Sequence, residues 1–208
     1  MGDFSKPSKM PWLAWSTPAK DCKNGSKLHD VPGSVCEGCY ALRGFYNMGT
    51  TRRAMARRQA AWKEPGWTGR MIDDLYEESQ KVAPSLRFFR WFDSGDIQSV
   101  AQLHKIVLIA EALPGIGFYL PTKEYGIVRQ YLKRNEVYGF PRNLVVRPSA
   151  PMVDEDMVPI PGLTRSKVES DPDMNSPDTC PAKLQANKCW DCRMCWDPEQ
   201  ELIIYPHH

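Results

Sequence analysis

Seven cysteines constrain this chain more than any other feature, and they fall into two sets. Cys22, Cys36 and Cys39 lie near the N-terminus; Cys180, Cys189, Cys192 and Cys195 lie near the C-terminus. An odd number cannot all pair as disulfides, and disulfides are scarce in reducing compartments. Met1 to Lys20 holds no continuous apolar stretch of the kind a secretory signal needs. The longest apolar run, Ile106 to Ala110, is far short of the roughly 20 residues of a membrane span. The expectation is a cytoplasmic protein with no membrane partner, whose thiols ligate metal.

In the C-terminal set, Cys189, Cys192 and Cys195 form a C-x2-C-x2-C run, the form seen in bacterial ferredoxins. Three thiolates at this spacing wrap a compact cluster, and Cys180, followed by Pro181, supplies the fourth. Trp190, Met194 and Trp196 are interleaved, as suits a site shielded from water. This reads as a 4Fe-4S cluster. Zinc on four thiolates is the alternative, although zinc sites usually come as two separated C-x2-C pairs. Scattered buried thiols are the plain reading. Four protein ligands close the site, which fits structure or electron transfer better than catalysis.

The N-terminal set offers three thiolates. Thirteen residues separate Cys22 from Cys36, and His29 in that loop would complete a zinc site. A 4Fe-4S cluster on three thiolates would instead leave one iron open to a small molecule.

Between the two sets the pattern is strand–helix–strand. Helices are expected at Thr50 to Trp62, Thr68 to Val82, Ser99 to Leu113 and Glu124 to Lys133, from their apolar faces and Pro-Gly breaks. Strands are expected at Leu86 to Phe92, Gly117 to Leu120, Leu144 to Arg147 and Leu202 to Tyr205, with a short one at Trp12 to Trp15. Pro151 to Thr179 reads as a long irregular connection. The class is α/β with a parallel sheet, residues 1–173 forming a core and 174–208 a cysteine-rich segment packed on it. The aromatic run Phe88 to Phe92 reads as core.

In a parallel sheet, polar residues just beyond the C-terminal strand ends line the ligand crevice. Three turns qualify: Asp93-Ser94-Gly95-Asp96, Pro121-Thr122-Lys123 and Pro148-Ser149. Ser94, Gly95, Asp96, Thr122, Lys123 and Ser149 are therefore the candidate contacts for a small molecule. Lys123 and Arg147 would bind an anion or pair with Asp93 and Asp96. Gly115-Ile116-Gly117 lacks the third glycine of a dinucleotide site. Net charge is only +2, so a nucleic-acid partner would need a local patch. Arg52, Arg53, Arg57 and Arg58, with Arg43 and Arg70 nearby, offer one; a solvated helix face is the commoner use of such residues.

The segments VCEGCYALRGFY (35–46), RFFRWFDSGDIQS (87–99), YLPTKEYG (119–126) and TCPAKLQANKCWDCRMCW (179–196) together resemble the phage gene product 88-like family. More distantly they resemble phage proteins with a C-x2-C-Tyr-Ala motif that look like shortened radical SAM enzymes. The resemblance implies a partial (β/α) barrel of radical SAM type with a cysteine-rich C-terminal extension. It implies an open cluster on Cys22, Cys36 and Cys39, with Ser94-Gly95-Asp96 standing where radical SAM enzymes hold the amino group of S-adenosylmethionine (SAM). Those enzymes have a short spacer between their first two cysteines and an aromatic before the third; here Gly38 precedes Cys39 and Tyr40 follows it. The combined expectation is an iron–sulfur protein of phage type in the host cytoplasm, carrying one or two 4Fe-4S clusters. The alternative is a non-enzymatic regulatory or nucleic-acid-binding protein whose clusters, or zinc, are structural. The residues name no reaction.

Overall fold

The structure, a computed structural model, describes residues 4–136 and 139–207. Its strands are β1 (Ala14–Trp15), β2 (Phe88–Trp91), β3 (Gly117–Thr122), β4 (Leu144–Val153), β5 (Arg165–Glu169) and β6 (Leu202–Pro206). Its α-helices are α1 (Lys23–Leu28), α2 (Gly49–Ala61), α3 (Trp67–Ser79), α4 (Val100–Ala112) and α5 (Tyr125–Asn135). All six strands form one sheet in the order β1-β2-β3-β4-β5-β6, and every pairing is parallel. The protein is therefore α/β. No helix among the described residues is long and apolar enough to cross a membrane.

Local chemistry sets the helix limits. The Ser99 hydroxyl accepts the Gln102 N–H at 3.1 Å and caps α4, which stops before Pro114-Gly115. Gly66, at φ +75°, turns the chain into α3, whose Trp67, Met71 and Leu75 recur every fourth residue on the buried side.

Spatial order equals sequence order, so the sheet has no point at which the winding reverses. Such a sheet sends its helical crossovers to one face, because right-handed connections leave no other choice. The residues show it. Phe89 and Trp91 of β2, Phe118 and Leu120 of β3, and Leu144 and Val146 of β4 join one core with Trp67, Met71, Leu75, Leu103, Ile106 and Val128 of the helices. Their strand neighbours Phe88, Arg90, Tyr119, Val145 and Arg147 point to the opposite face.

That second face is covered by the cysteine-rich segment. The Trp196 ring packs at 5.7 Å from both Phe88 and Tyr119, and its Nε1 donates to the Phe89 carbonyl at 2.8 Å. The same segment links the two sheet margins. The Cys180 N–H donates to the Ile204 carbonyl of β6, while the Cys189 N–H donates to the carbonyl of Lys9, whose segment pairs through Ser5 with Ala14 of β1. Residues 174–206 thus supply both the cover and β6 itself.

Three expectations change. The connection read as irregular contains β5 and the end of β4. Only Ser166 and Val168 of β5 turn inward, so its apolar signal is one residue. Pro148 and Ser149 do not form a turn after β4; they lie within it, Pro148 opposite Thr122 and Ser149 opposite Ser166. β4 passes from pairing with β3 to pairing with β5 at a register irregularity there, which a proline tolerates. Arg147 is not an anion site. It is fully buried, and its two Nη atoms donate to the carbonyls of Arg165 (3.1 Å), Gln200 (2.8 Å) and Asp197 (3.2 Å).

Arg147→Met keeps side-chain length but leaves those three carbonyls bare. We expect a loss of about 3–5 kcal/mol, read as a lowered urea midpoint with an unchanged slope.

Candidate functional site

The N-terminal cysteines reach the sheet through a loop tied to three strand ends. Cys22 directly precedes α1. The Asn24 N–H donates to Glu124 Oε1 at 2.8 Å and its Nδ2 to the Lys123 carbonyl at 2.7 Å, which anchors α1 beyond β3. Lys23 Nζ donates to the Gln98 carbonyl at 2.7 Å. Further on, the Val35 N–H donates to the Pro151 carbonyl and the Val153 N–H to that of Gly33, both at 2.9 Å, which fastens the loop to β4. Tyr40, next to Cys39, donates its hydroxyl to the Asp93 carbonyl beyond β2 at 2.7 Å. Five residues of loop and helix are thus held over the C-terminal edge of the sheet.

This brings the three thiols together. A Cβ placed on Gly25 would lie 3.6 Å from Cys22 Sγ and 3.7 Å from Cys36 Sγ, so both sulfurs border the space that glycine leaves free. Burial pushes the Cys22 thiol far above its ordinary range, and the charges of Asp96, Cys36, Cys39 and Glu124 add to this. Burial also raises Cys36, while the Lys123 ammonium pulls it down. His29 Nδ1 lies 3.3 Å from the Cys36 carbonyl.

The turns below these thiols are locked to one another. Asp96 Oδ1 accepts from the Thr122 hydroxyl (2.6 Å) and the Ile97 N–H (2.7 Å), and Oδ2 accepts from the Lys123 N–H (2.8 Å). The Thr122 oxygen accepts in turn from the Glu124 N–H at 3.0 Å. Ser94 donates to the Thr17 carbonyl at 3.0 Å, joining the ends of β1 and β2. Gly95, at φ +83°, lies so close that a Cβ would sit 2.1 Å from Thr17 Oγ1 and 2.8 Å from its carbonyl oxygen. Burial pushes the Asp96 carboxyl up to about 6 against the pull of these hydrogen bonds.

The structure therefore places Ser94, Gly95, Asp96, Thr122 and Lys123 together under the N-terminal cysteines. Ser94, Asp96 and Thr122 frame the floor, and the Lys123 ammonium faces Cys36. Ser149 stands one strand over, its carbonyl accepting the Tyr125 hydroxyl. Glu124 and Tyr125 were missed by sequence reasoning. Tyr125 faces Cys36 and Asp96, with its phenol pushed up to about 12 by burial and by the Asp96 charge. Both lie in YLPTKEYG, where they read simply as the start of a helix. The arginines do not share one exposed face: Arg52, Arg53 and Arg57 are exposed, but Arg58 is buried, because it falls three residues after Met55 on the inward stripe of α2.

The C-terminal cysteines line a small cavity of about 20 Å³ with Pro181, Ala182, Gln185, Met194 and Trp196. Burial raises the thiols of Cys180, Cys189 and Cys195, the last to about 11, while Arg90 pulls all three down. Lys9 also lowers Cys180 and Cys189. All seven cysteines are free and half-buried. Among the described residues, no three His, Cys, Asp or Glu side chains are gathered closely enough to hold a single metal ion.

Two consequences are testable. Gly95→Ala forces a side chain against Thr17 backbone in a left-handed conformation. Overpacking alone costs about 1–3 kcal/mol and the conformation about 1 kcal/mol more, which thermal unfolding would show. Asp96 holds its proton in the folded state at pH values where the unfolded chain, at 3.8, has lost it. Its contribution therefore falls as pH rises from about 4 to about 6. Urea midpoints measured across that window should show this slope in the native protein and lose it in Asp96→Asn.

No curated protein and no solved structure matches the chain. A family profile matches residues 3–198, nearly the whole length, and the chain belongs to that family, Gene product 88.

Proposed function

We propose that this protein is an iron–sulfur protein carrying two 4Fe-4S clusters, one open to a small molecule and one closed. The observation that carries this reading is the convergence of Cys22, Cys36 and Cys39 over the C-terminal edge of a parallel sheet, directly above Asp96 and Lys123. That edge is where parallel α/β sheets bind their ligands. Three thiolates leave one iron without a protein ligand, and an iron–sulfur centre supplies such a coordination position together with one-electron chemistry.

The residues fit that group. Gly25 leaves space between Cys22 and Cys36 that any side chain would fill. Lys123 offsets the thiolate charge at Cys36. Asp96 accepts three hydrogen bonds of the roughly four a carboxylate can take, so it keeps one acceptor position for a cationic group such as an amine. At the C-terminal site, four thiolates surround a cavity. Zinc, at about 2.3 Å from each thiolate, needs sulfurs about 3.8 Å apart; a cubane sets its thiolates on separate corners and wider apart.

The finer reading, a partial barrel of radical SAM type with SAM as the small molecule, draws support from the sheet. Its order is sequential, its helices share one face, and β4 offsets its two pairings along its length as strands do in a closing sheet. Ser94-Gly95-Asp96 follows the C-terminal end of β2, which supports this reading, and the Ser94 hydroxyl is engaged with the Thr17 carbonyl.

Anaerobic reconstitution should give about eight irons and eight sulfides per chain, and Cys36→Ala about half of each. Adding SAM should alter the electron paramagnetic resonance spectrum of the native protein and leave that of Cys36→Ala unchanged. Zinc without iron after anaerobic purification would overturn the cluster reading; a spectrum indifferent to SAM would remove SAM alone.

A further inference from the structure

Tyr205 lies in β6 and Tyr119 in β3, with two strands between them in the sheet order, yet both turn to the face under the cysteine-rich segment. The Tyr119 and Tyr205 hydroxyl oxygens are 3.0 Å apart, and the Tyr205 oxygen is 3.1 Å from Cys195 Sγ. Tyr119 is buried, at 2% exposure. The Arg90 guanidinium stands 5.7 Å from the centre of the Tyr119 ring. This is an ordered row of polar groups inside an otherwise aromatic layer, and it ends on a metal-ligand candidate.

Hydroxyls here can each donate or accept, so the row has no direction until one end is fixed. A thiolate bound to metal has no proton and can only accept. Tyr205 must then donate to Cys195, which leaves its oxygen to accept from Tyr119. Ligation at one end aligns both hydroxyl dipoles toward the sulfur. Hydrogen bonds to cluster sulfurs and nearby positive charge both favour the reduced, more negative state.

We propose that Tyr205, oriented by Tyr119, is a positioning residue that raises the reduction potential of the C-terminal centre. The proposal rests on the cluster reading of Cys180, Cys189, Cys192 and Cys195. Arg90 and Lys9 act in the same direction, since both favour negative charge on these thiolates.

The test compares reconstituted native protein with Tyr205→Phe and Tyr119→Phe. Tyr205→Phe removes one oxygen and keeps the ring packing, so iron and sulfide contents should match the native values. Its C-terminal cluster should show a lower midpoint potential in a dithionite titration followed by electron paramagnetic resonance. Tyr119→Phe should lower it less, because the donor to sulfur remains. In the native protein, an exchangeable proton coupled to the reduced cluster should disappear in D2O, a readout that needs no variant to fold. Equal potentials at equal iron content, or no exchangeable proton, overturn the proposal and leave the cluster reading intact. Zinc without iron at this site overturns both.

Discussion

A parallel sheet wound in one direction covers only one of its faces with helices, and the other face must be closed by something else. Here the helical face buries Phe89, Trp91, Phe118 and Leu120, while the second face exposes Phe88, Arg90, Tyr119 and Arg147 to whatever lies over it. The cysteine-rich segment takes that position with little regular structure of its own. Its backbone carbonyls are satisfied by Arg147, and its Trp196 is wedged between Phe88 and Tyr119. The segment holds itself through local turns, such as Gln185 N–H to the Ala182 carbonyl, Cys192 N–H to that of Cys189 and Trp196 N–H to that of Arg193, rather than through a regular ladder.

The two cysteine sets sit in opposite electrostatic surroundings. Asp96 and Glu124 crowd Cys22 with negative charge, relieved at Cys36 by Lys123. Arg90 and Lys9 face the C-terminal thiols with positive charge. For clusters of one type, the first environment opposes reduction and the second favours it. The difference follows from placement: the N-terminal set lies at strand ends where acidic turn residues collect, and the C-terminal set lies on a strand face where β2 presents Arg90.

Much of this was legible in the sequence. Strands β2 and β3, helices α2 to α5 and the division of cysteines into three and four all follow from apolar period, Pro-Gly breaks and spacing. What was not legible has physical reasons. β5 carries one inward apolar residue, so its pairing depends on β4 and β6 rather than on its own pattern. Pro148 and Ser149 read as a turn because proline usually ends strands; only the change of partner along β4 explains their place in it. Arg147 read as a ligand for an anion or a partner for Asp93 and Asp96, because nothing local shows that three carbonyls from distant segments would converge on it. Asp96 and Thr122 were found as candidates, but their bond to each other spans 26 residues and has no local signature.

Strand β2 is the element that relates the two sites. Its alternation sends Phe88 and Arg90 to the face beneath the C-terminal cysteines, and its end runs directly into Asp93-Ser94-Gly95-Asp96 beneath the N-terminal ones. Phe92, at φ +54°, makes the bend between these two duties. Asp93 then holds Tyr46 at 2.9 Å through its carboxylate and Tyr40 at 2.7 Å through its carbonyl, and Tyr40 is bonded in sequence to Cys39. Arg90 and Asp93 are three residues apart on one stiff segment buried against Trp15 and Phe118. The separation of the sites is therefore a property of the core, and it does not depend on how the cysteine loops themselves settle.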